Sequence, residues 1–136
     1  MADDIESAKK LQKLHPGKIT LIRYEDLSLE PQLLTRRLLN FLSLPWTDSI
    51  SQYLQTHTRG SLHKESLLRD TYGTSRNSSA TAFAWRDKMS FSNISFIQTQ
   101  CGKAMEELGY KLIRSHDDKD SLRWPLEKSL RDVWPF

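Results

Sequence analysis

The stretch Lys18–Trp46, KITLIRYEDLSLEPQLLTRRLLNFLSLPW, decides the fold class that this sequence predicts. Within it a short apolar run, Ile19–Ile22, stops abruptly at the polar cluster Arg23–Asp26. Such a run predicts a strand that is apolar on both faces, as in a buried parallel sheet. Open α/β sheets bind their ligands beyond the carboxyl ends of the strands. We therefore expect an α/β fold in which this strand carries polar side chains to a ligand-binding edge.

Amphipathic helices are predicted on both sides of the strand. Apolar residues recur every third position from Ile5 to Leu14, and Pro16 and Gly17 end that helix. Pro31 begins the next helix, because proline suits a first helical turn. The residues expected on its buried face are Leu33, Leu34, Leu38, Phe41 and Leu42.

The second half of the chain alternates between irregular and helical patterns. Asp48 is predicted to cap a third helix, and residues 57–84 lack periodicity, which indicates a long functional loop or a disordered segment. A final long helix should begin with Ser90 or Ser92 as its N-cap and end at Gly109. We assign residues 1–114 to one domain and residues 115–136 to a charged, tryptophan-containing tail.

Composition narrows the class of protein. The chain has 136 residues, 38% hydrophobic and 27% charged, which is typical of a globular domain. The net charge of +3 suits an anionic ligand but does not indicate nucleic acid. Cys101 is the single cysteine, so no internal disulfide can form, and no zinc-type Cys/His spacing occurs. No apolar run reaches the roughly 18 residues of a transmembrane helix.

One strand alone poses a structural problem. Its backbone N–H and C=O groups need partners along both edges, and the sequence offers no second convincing strand. Either Ile19–Ile22 is not a strand, or the chain is the C-terminal part of a larger α/β protein.

Three polar segments are candidates for ligand contacts. Arg23–Asp26 could be a plain strand terminus, in which Arg23 pairs with Glu25, or it could place the ring of Tyr24 against a ligand. Thr56–Ser61 offers hydroxyls and backbone amides, and a solvated helix exit is the alternative. Thr71–Ser79 combines small residues with one arginine, a combination that suits a phosphate.

The sequence shows no nucleophile with a matching base. Glu25 and Asp26 are adjacent, so on a strand they would point to opposite sides. Trp85 is by default a core residue. Asn77 and Asn93 each begin an Asn-X-Ser sequon, which matters only in a secretory lumen.

Four segments together resemble the C-terminal part of the Golgi carbohydrate sulfotransferases. They are Leu14–Lys18; Ile22–Leu27 with Pro31 and Phe41–Pro45; Thr71–Ser79 leading to Ala84–Arg86; and Ile97–Cys101 with Leu108–Tyr110. They occur in the family's order and cover roughly residues 3–110. The resemblance implies a P-loop-like fold with a parallel sheet flanked by helices, mostly helical in this portion with one strand.

The resemblance also implies a reaction. Enzymes of this family transfer a sulfuryl group from 3′-phosphoadenylyl sulfate (PAPS) to a sugar hydroxyl, without a metal. Their partners are a nucleotide donor and a glycan acceptor, and the full-length proteins are anchored in the Golgi membrane with a lumenal domain. By this resemblance Tyr24 would lie near the adenine. Thr58 would touch the nucleotide, in a segment similar to the His-Thr-Ser run of cytosolic sulfotransferases.

The later polar loop receives its expected roles from the same resemblance. Arg76 would contact the 3′-phosphate, with Ser75 and Asn77 beside it. Trp85 and Arg86 would anchor this loop. The loop reads Ser-Arg-Asn where cytosolic relatives have Arg-Lys-Gly, so it carries one cation fewer.

The sequence lacks two elements that the family uses. These are the Gly- and Ser-rich loop around the 5′-phosphosulfate and the Arg…Ser element at the 3′-phosphate. We assign no catalytic residue and expect a fragment of a sulfotransferase that is inactive alone. The alternative is a non-catalytic, mostly helical interaction module derived from a sulfotransferase.

Overall fold

The computed structural model describes residues 2–59 and 77–121. These residues form eight helices: α1 (Ala2–Leu14), α2 (Tyr24–Leu29), α3 (Pro31–Phe41), α4 (Asp48–Thr58), α5 (Ser78–Phe83), α6 (Trp85–Lys88), α7 (Phe91–Glu107) and α8 (His116–Ser121). They belong to two compact units. The first unit holds α1 and α6–α8, and the second, Arg23–Ala84, holds α2–α5.

The first unit is built on the packing of α1 against α7. Its buried apolar residues are Ile94 and Ala104 on α7 and Ile113 beyond it. Lys9 Nζ on α1 lies 3.2 Å from Glu107 Oε2 at the end of α7. The predicted end of α1 is confirmed, because Gly17 adopts a φ of 72° shortly after the helix stops.

The two ends of α7 follow the sequence prediction. Ser90 is the N-cap, and its hydroxyl accepts a hydrogen bond from the Asn93 N–H. At the other end Gly109 has a φ of 72°, and Tyr110 N–H donates to the Met105 carbonyl at 2.8 Å. Gly109 N–H donates to the Glu106 carbonyl, so the pair of bonds forms a Schellman motif.

The second unit is organised around α2, which packs against α5 and α3. Among the residues described in this unit, Leu34 of α3 and Ala82 of α5 are the buried apolar ones. At the start of α2 the buried Arg23 Nε donates to Asp26 Oδ2 at 2.7 Å. Because both groups are largely removed from water, this ion pair fixes the first turn of the helix.

The predicted strand is the main difference between expectation and structure. Residues 19–23 are non-helical, but no strand ladder forms among the described residues. Tyr24–Leu27, expected at a strand end, lie instead in the first turn of α2. The physical reason is the one anticipated: an extended segment becomes a strand only when another strand pairs with it.

Three smaller corrections concern helices. On α3 the start at Pro31 is confirmed, but Leu33 and Leu42 of the predicted buried face are 44% and 52% exposed. Thr47, not Asp48, caps α4, because its hydroxyl accepts from the Ile50 N–H. Part of the predicted loop is helical, since Asn77 caps α5.

The predicted boundary between a domain and a tail at residue 115 stays a prediction. Helix α8 lies within the predicted tail, and residues 122–136 lie outside the described part of the chain.

Candidate functional site

A cavity of about 520 Å³ opens within the second unit. Its walls come from the end of α2, the start of α3, the last turns of α4 and the start of α5. The described residues that line it are Ser28, Leu29, Glu30, Pro31, Gln32, Leu33, Leu54, Gln55, Thr58, Arg59, Asn77 and Ser79. This volume falls in the range of small-molecule sites, which is roughly 300–1,000 Å³.

A backbone bridge holds two walls of this cavity together. Arg59, just after α4, forms an isolated antiparallel β-bridge with Asn77, just before α5. Thr58 and Asn77, both predicted as ligand contacts, are thereby brought to the same cavity. The bridge is a contact between residues far apart in sequence.

Thr58 is held in one orientation. Its Oγ1 donates to the Leu54 carbonyl at 2.6 Å, one helical turn earlier on α4. A carbonyl oxygen only accepts, so the hydroxyl proton of Thr58 is committed to this bond. Toward a ligand the Thr58 oxygen therefore presents its lone pairs.

Asn77 combines a capping role with a place in the cavity wall. Its Oδ1 accepts from the Ala80 N–H at 3.0 Å and from the Ser79 hydroxyl at 2.9 Å. These bonds fix the carboxamide plane. Since Oδ1 is used by the cap, the amide NH₂ group is the part of Asn77 that can donate to a ligand.

The cavity is mixed in polarity. Leu29, Pro31 and Leu54 supply apolar surface that suits a flat ring, and Arg59 is the basic residue of the described lining. A guanidinium binds phosphate through two parallel N–H bonds. Glu30 supplies the opposite charge within the same lining.

Ser28 stands out in the cavity wall because its hydroxyl is buried. The residue is 6% exposed, and its Oγ has no hydrogen-bond partner within the described part of the chain. A buried polar atom without a partner costs roughly 1–3 kcal/mol. The Ser28 hydroxyl is therefore an energetic cost to the folded chain rather than an accessible contact.

Tyr24 is exposed, at 55% of its surface, and does not belong to the lining. It precedes Ser28 by four residues on α2, so the two share one face of the helix. The adenine contact predicted for Tyr24 stays a prediction.

The remaining predicted residues are not brought to this cavity by the described structure. Trp85 and Arg86 open α6 in the first unit, with Arg86 Cζ 5.8 Å from the Trp85 ring centroid. Desolvation lowers the pKa of Arg86, against the opposing effect of Asp87. Ser75 and Arg76 lie outside the described residues. The roles predicted for these four residues stay predictions.

Among the residues of the cavity wall, sequence reasoning gave no individual role to Arg59, Ser79 or Ser28. Arg59 and Ser79 lie within the two segments that the sequence singled out, Thr56–Ser61 and Thr71–Ser79, so a signal was available for both. Ser28 gave no signal. Ser28 belongs to the lining because residues 24–29 are helical, whereas the sequence indicated the end of a strand.

Within residues 2–59 and 77–121 no three His, Cys, Asp or Glu side chains lie close enough to hold a metal ion. None of the helices in those ranges combines the length and apolar character needed to span a membrane.

Comparison with known proteins identifies the family. The sequence profile of the sulfotransferase domain matches residues 1–109. Human carbohydrate sulfotransferase 1 is 36% identical over 120 residues, which cover 88% of this chain and 28% of the relative. Carbohydrate sulfotransferase 6 of Homo sapiens is 33% identical over 107 residues, which cover 78% of this chain and 27% of the relative. Carbohydrate sulfotransferase 3 of Mus musculus is 33% identical over 98 residues, which cover 72% of this chain and 20% of the relative.

The chain corresponds to only part of each of these relatives. It spans about a fifth to a third of their length. No solved structure matches the chain significantly. Because the domain profile matches most of the sequence, the chain belongs to the sulfotransferase family.

Proposed function

We propose that this chain is part of a carbohydrate sulfotransferase and that its cavity forms part of the site for the nucleotide of PAPS. The observation that carries the proposal is that Thr58 and Asn77 line one cavity of about 520 Å³. Both residues match positions that contact the nucleotide in the family resemblance. Among the curated relatives, the names specify carbohydrate as the sulfated partner.

The lining fits a nucleoside with an attached anion. Leu29, Pro31 and Leu54 offer apolar surface to the base. The lone pairs of Thr58 accept from a ribose hydroxyl or an exocyclic amine. Arg59 offers a bidentate fork to a phosphate.

The residues of this chain would bind and orient the donor. PAPS supplies an activated sulfuryl group, which is transferred to a sugar hydroxyl. By analogy with phosphoryl transfer, such a reaction depends on positioning and on stabilising the spread negative charge. Arg59 is the cation that the described part of the cavity wall contributes, and the sequence holds no Gly- and Ser-rich anion loop. We therefore propose that residues 1–136 by themselves bind the nucleotide weakly and do not turn over.

The sulfated sugar acceptor and a lumenal Golgi location belong to the same proposal. The acceptor rests on the names of the relatives, and the location rests on the resemblance to the Golgi carbohydrate sulfotransferases.

Calorimetric titration with adenosine 3′,5′-bisphosphate, the desulfated product of PAPS, tests nucleotide binding. We expect measurable binding by the 136-residue chain and a loss of about tenfold in affinity for Arg59→Gln, since a hydrogen bond to a charged group contributes roughly 1.5–3 kcal/mol. Arg37→Gln is the matched control, because it removes the same charge outside the cavity lining.

Three results would contradict parts of the proposal. Equal affinities for the two variants would remove Arg59 from the site. Absence of any binding would favour the non-catalytic helical module. Sulfation of a galactose or N-acetylglucosamine acceptor from PAPS by the isolated chain would contradict the proposal that residues 1–136 are inactive by themselves.

A further inference from the structure

The Asn93–Ser95 sequon lies on the first turns of α7 with its acceptor side chain facing solvent. Asn93 and Ser95 are exposed, whereas Ile94 between them is buried at 4% exposure. The buried Ile94 fixes the rotation of the helix. Asn93 and Ser95 therefore stay on the outer side of the first unit.

The carboxamide of Asn93 is not used by the fold. Asn93 donates its backbone N–H to the Ser90 hydroxyl at 3.3 Å, and its side chain makes no hydrogen bond to the described residues. A substituent on Nδ2 would thus displace no contact within residues 2–59 and 77–121.

The second sequon, Asn77–Ser79, has the opposite character. Asn77 Oδ1 accepts from the Ala80 N–H and from the hydroxyl of Ser79, the third residue of the sequon. Asn77 and Ser79 also line the cavity. A branched sugar chain at Asn77 would occupy the mouth of the proposed nucleotide site.

We propose that Asn93 carries an N-linked glycan and that Asn77 remains unmodified. The inference rests on the proposed lumenal location. The donor is a lipid-pyrophosphate-linked oligosaccharide, and a lumenal transferase joins it to the chain. A bond forms between Asn93 Nδ2 and C1 of the first sugar, the bond from C1 to the pyrophosphate oxygen breaks, and one amide proton is lost.

The position gives the glycan a physical role. Phe96 and Ile97 lie three and four residues beyond Asn93, on the same face of α7, and are 67% and 41% exposed. Exposed apolar groups of this kind promote association. A glycan on Asn93 would cover them and keep this face monomeric.

The test uses the protein isolated from the cells that make it. Treatment with a peptide N-glycosidase in ¹⁸O-labelled water marks each glycosylated asparagine as labelled aspartate, which peptide mass spectrometry then locates. We expect the label at Asn93 and none at Asn77. Expressed in the same cells, Asn93→Gln and Ser95→Ala should each lose the electrophoretic shift of one glycan, and Asn77→Gln should retain it.

A second measurement separates this inference from the proposed function. Protease protection in sealed membrane vesicles reports whether the chain is lumenal. A lumenal chain with unmodified Asn93 overturns the inference and leaves the location intact, and a chain outside the lumen overturns both. A glycan at Asn77 contradicts the assignment of the cavity as a nucleotide site.

Discussion

The hydroxyl of Thr58 is locked to the carbonyl of Leu54, 2.6 Å away within the same helix. Because this bond consumes its proton, Thr58 can only accept hydrogen bonds from a ligand. A phosphate, which also only accepts when fully ionised, is therefore a poor partner for Thr58. The geometry favours contact with the nucleoside part of the donor.

The orientation of Thr58 leads to a prediction about affinity. Thr58→Val removes the acceptor at nearly constant volume and should weaken binding by about fivefold, because a neutral hydrogen bond contributes roughly 1 kcal/mol. The loss should be equal for adenosine and for adenosine 3′,5′-bisphosphate in calorimetric titrations. Thr58→Ser should retain the affinity. A loss confined to the bisphosphate would mean that Thr58 contacts a phosphate instead.

The buried Ser28 hydroxyl predicts a stabilising substitution. Ser28→Ala removes a polar atom that has no partner among the described residues and improves helix propensity, so the free energy of unfolding should rise by about 1 kcal/mol. Urea denaturation of the ligand-free chain measures the change. Thr20→Val is a matched control, since the Thr20 hydroxyl is also buried without a partner but lies outside the cavity.

The same substitution distinguishes a ligand site from a packing defect. If Ser28 serves the ligand, Ser28→Ala should reduce the stabilisation that saturating nucleotide confers, whereas Thr20→Val should leave it unchanged. A decrease in the stability of ligand-free Ser28→Ala would indicate that the hydroxyl has a partner in the folded chain.

The ion pair between Arg23 and Asp26 predicts a large loss of stability. The Arg23 side chain is 3% exposed, so Asp26→Ala would remove the carboxylate that accepts from the Nε of a buried guanidinium. Breaking one side of a buried pair typically costs 3–5 kcal/mol, and we expect about 3 kcal/mol because Asp26 is 20% exposed. Denaturant unfolding provides the measurement.

An exposed pair supplies the control for Asp26. Glu6 and Lys10 form an i,i+4 ion pair on the surface of α1, and Glu6→Ala should leave the denaturation midpoint nearly unchanged. Equal effects of Asp26→Ala and Glu6→Ala would refute a structural role for the buried pair.

The Gln98 carboxamide makes two hydrogen bonds to the backbone of Ile113, so its removal should lower the free energy of unfolding. Gln98 Nε2 donates to the Ile113 carbonyl at 2.9 Å, and the Ile113 N–H donates to Gln98 Oε1 at 2.6 Å. Gln98→Ala leaves two backbone groups of the buried Ile113 unpaired and should cost about 2 kcal/mol. Hydrogen exchange at the Ile113 amide should accelerate more than exchange at Ala104, in the core of α7.

The variant Gln98→Glu, which has nearly the same shape, tests the two hydrogen bonds separately. It keeps an acceptor for the Ile113 N–H but turns an oxygen toward the Ile113 carbonyl. We therefore expect it to be less stable than the wild type while retaining protection at the Ile113 amide. Unchanged protection in Gln98→Ala would show that the pair contributes nothing.

The sequence predicted best the features that depend on near neighbours. Pro31 at the start of α3, Ser90 before α7 and Gly109 after it are each determined within one helical turn. Such ends need no information from the rest of the fold.

The strand at Ile19–Ile22 could not be settled locally, since a strand exists only through its partner. The apolar run is present, but the described residues provide no ladder for it. Once the segment was read as a strand, Tyr24 and Ser28 were not placed on one helical face. A strand alternates its side chains with a period of two residues, whereas residues 24–29 follow the helical period of about 3.6.

The cavity was predictable only in part for a related reason. Thr58 and Asn77 came from the family resemblance, but their meeting depends on the bridge between Arg59 and Asn77. A backbone contact across so many residues leaves no local pattern. The sequence suggested Glu25 as the partner of Arg23, but the structure shows an ion pair of Arg23 with Asp26. This pair likewise depends on α2 being helical.

The bridge between Arg59 and Asn77 also determines where this chain can vary in length. Because the bridge joins the two residues that flank positions 60–76, insertions between them need not disturb the walls on either side. Each doubling of the intervening length costs only about 0.6 kcal/mol in closure entropy. Changes in the length of that segment can therefore occur while the flanking walls keep their shape.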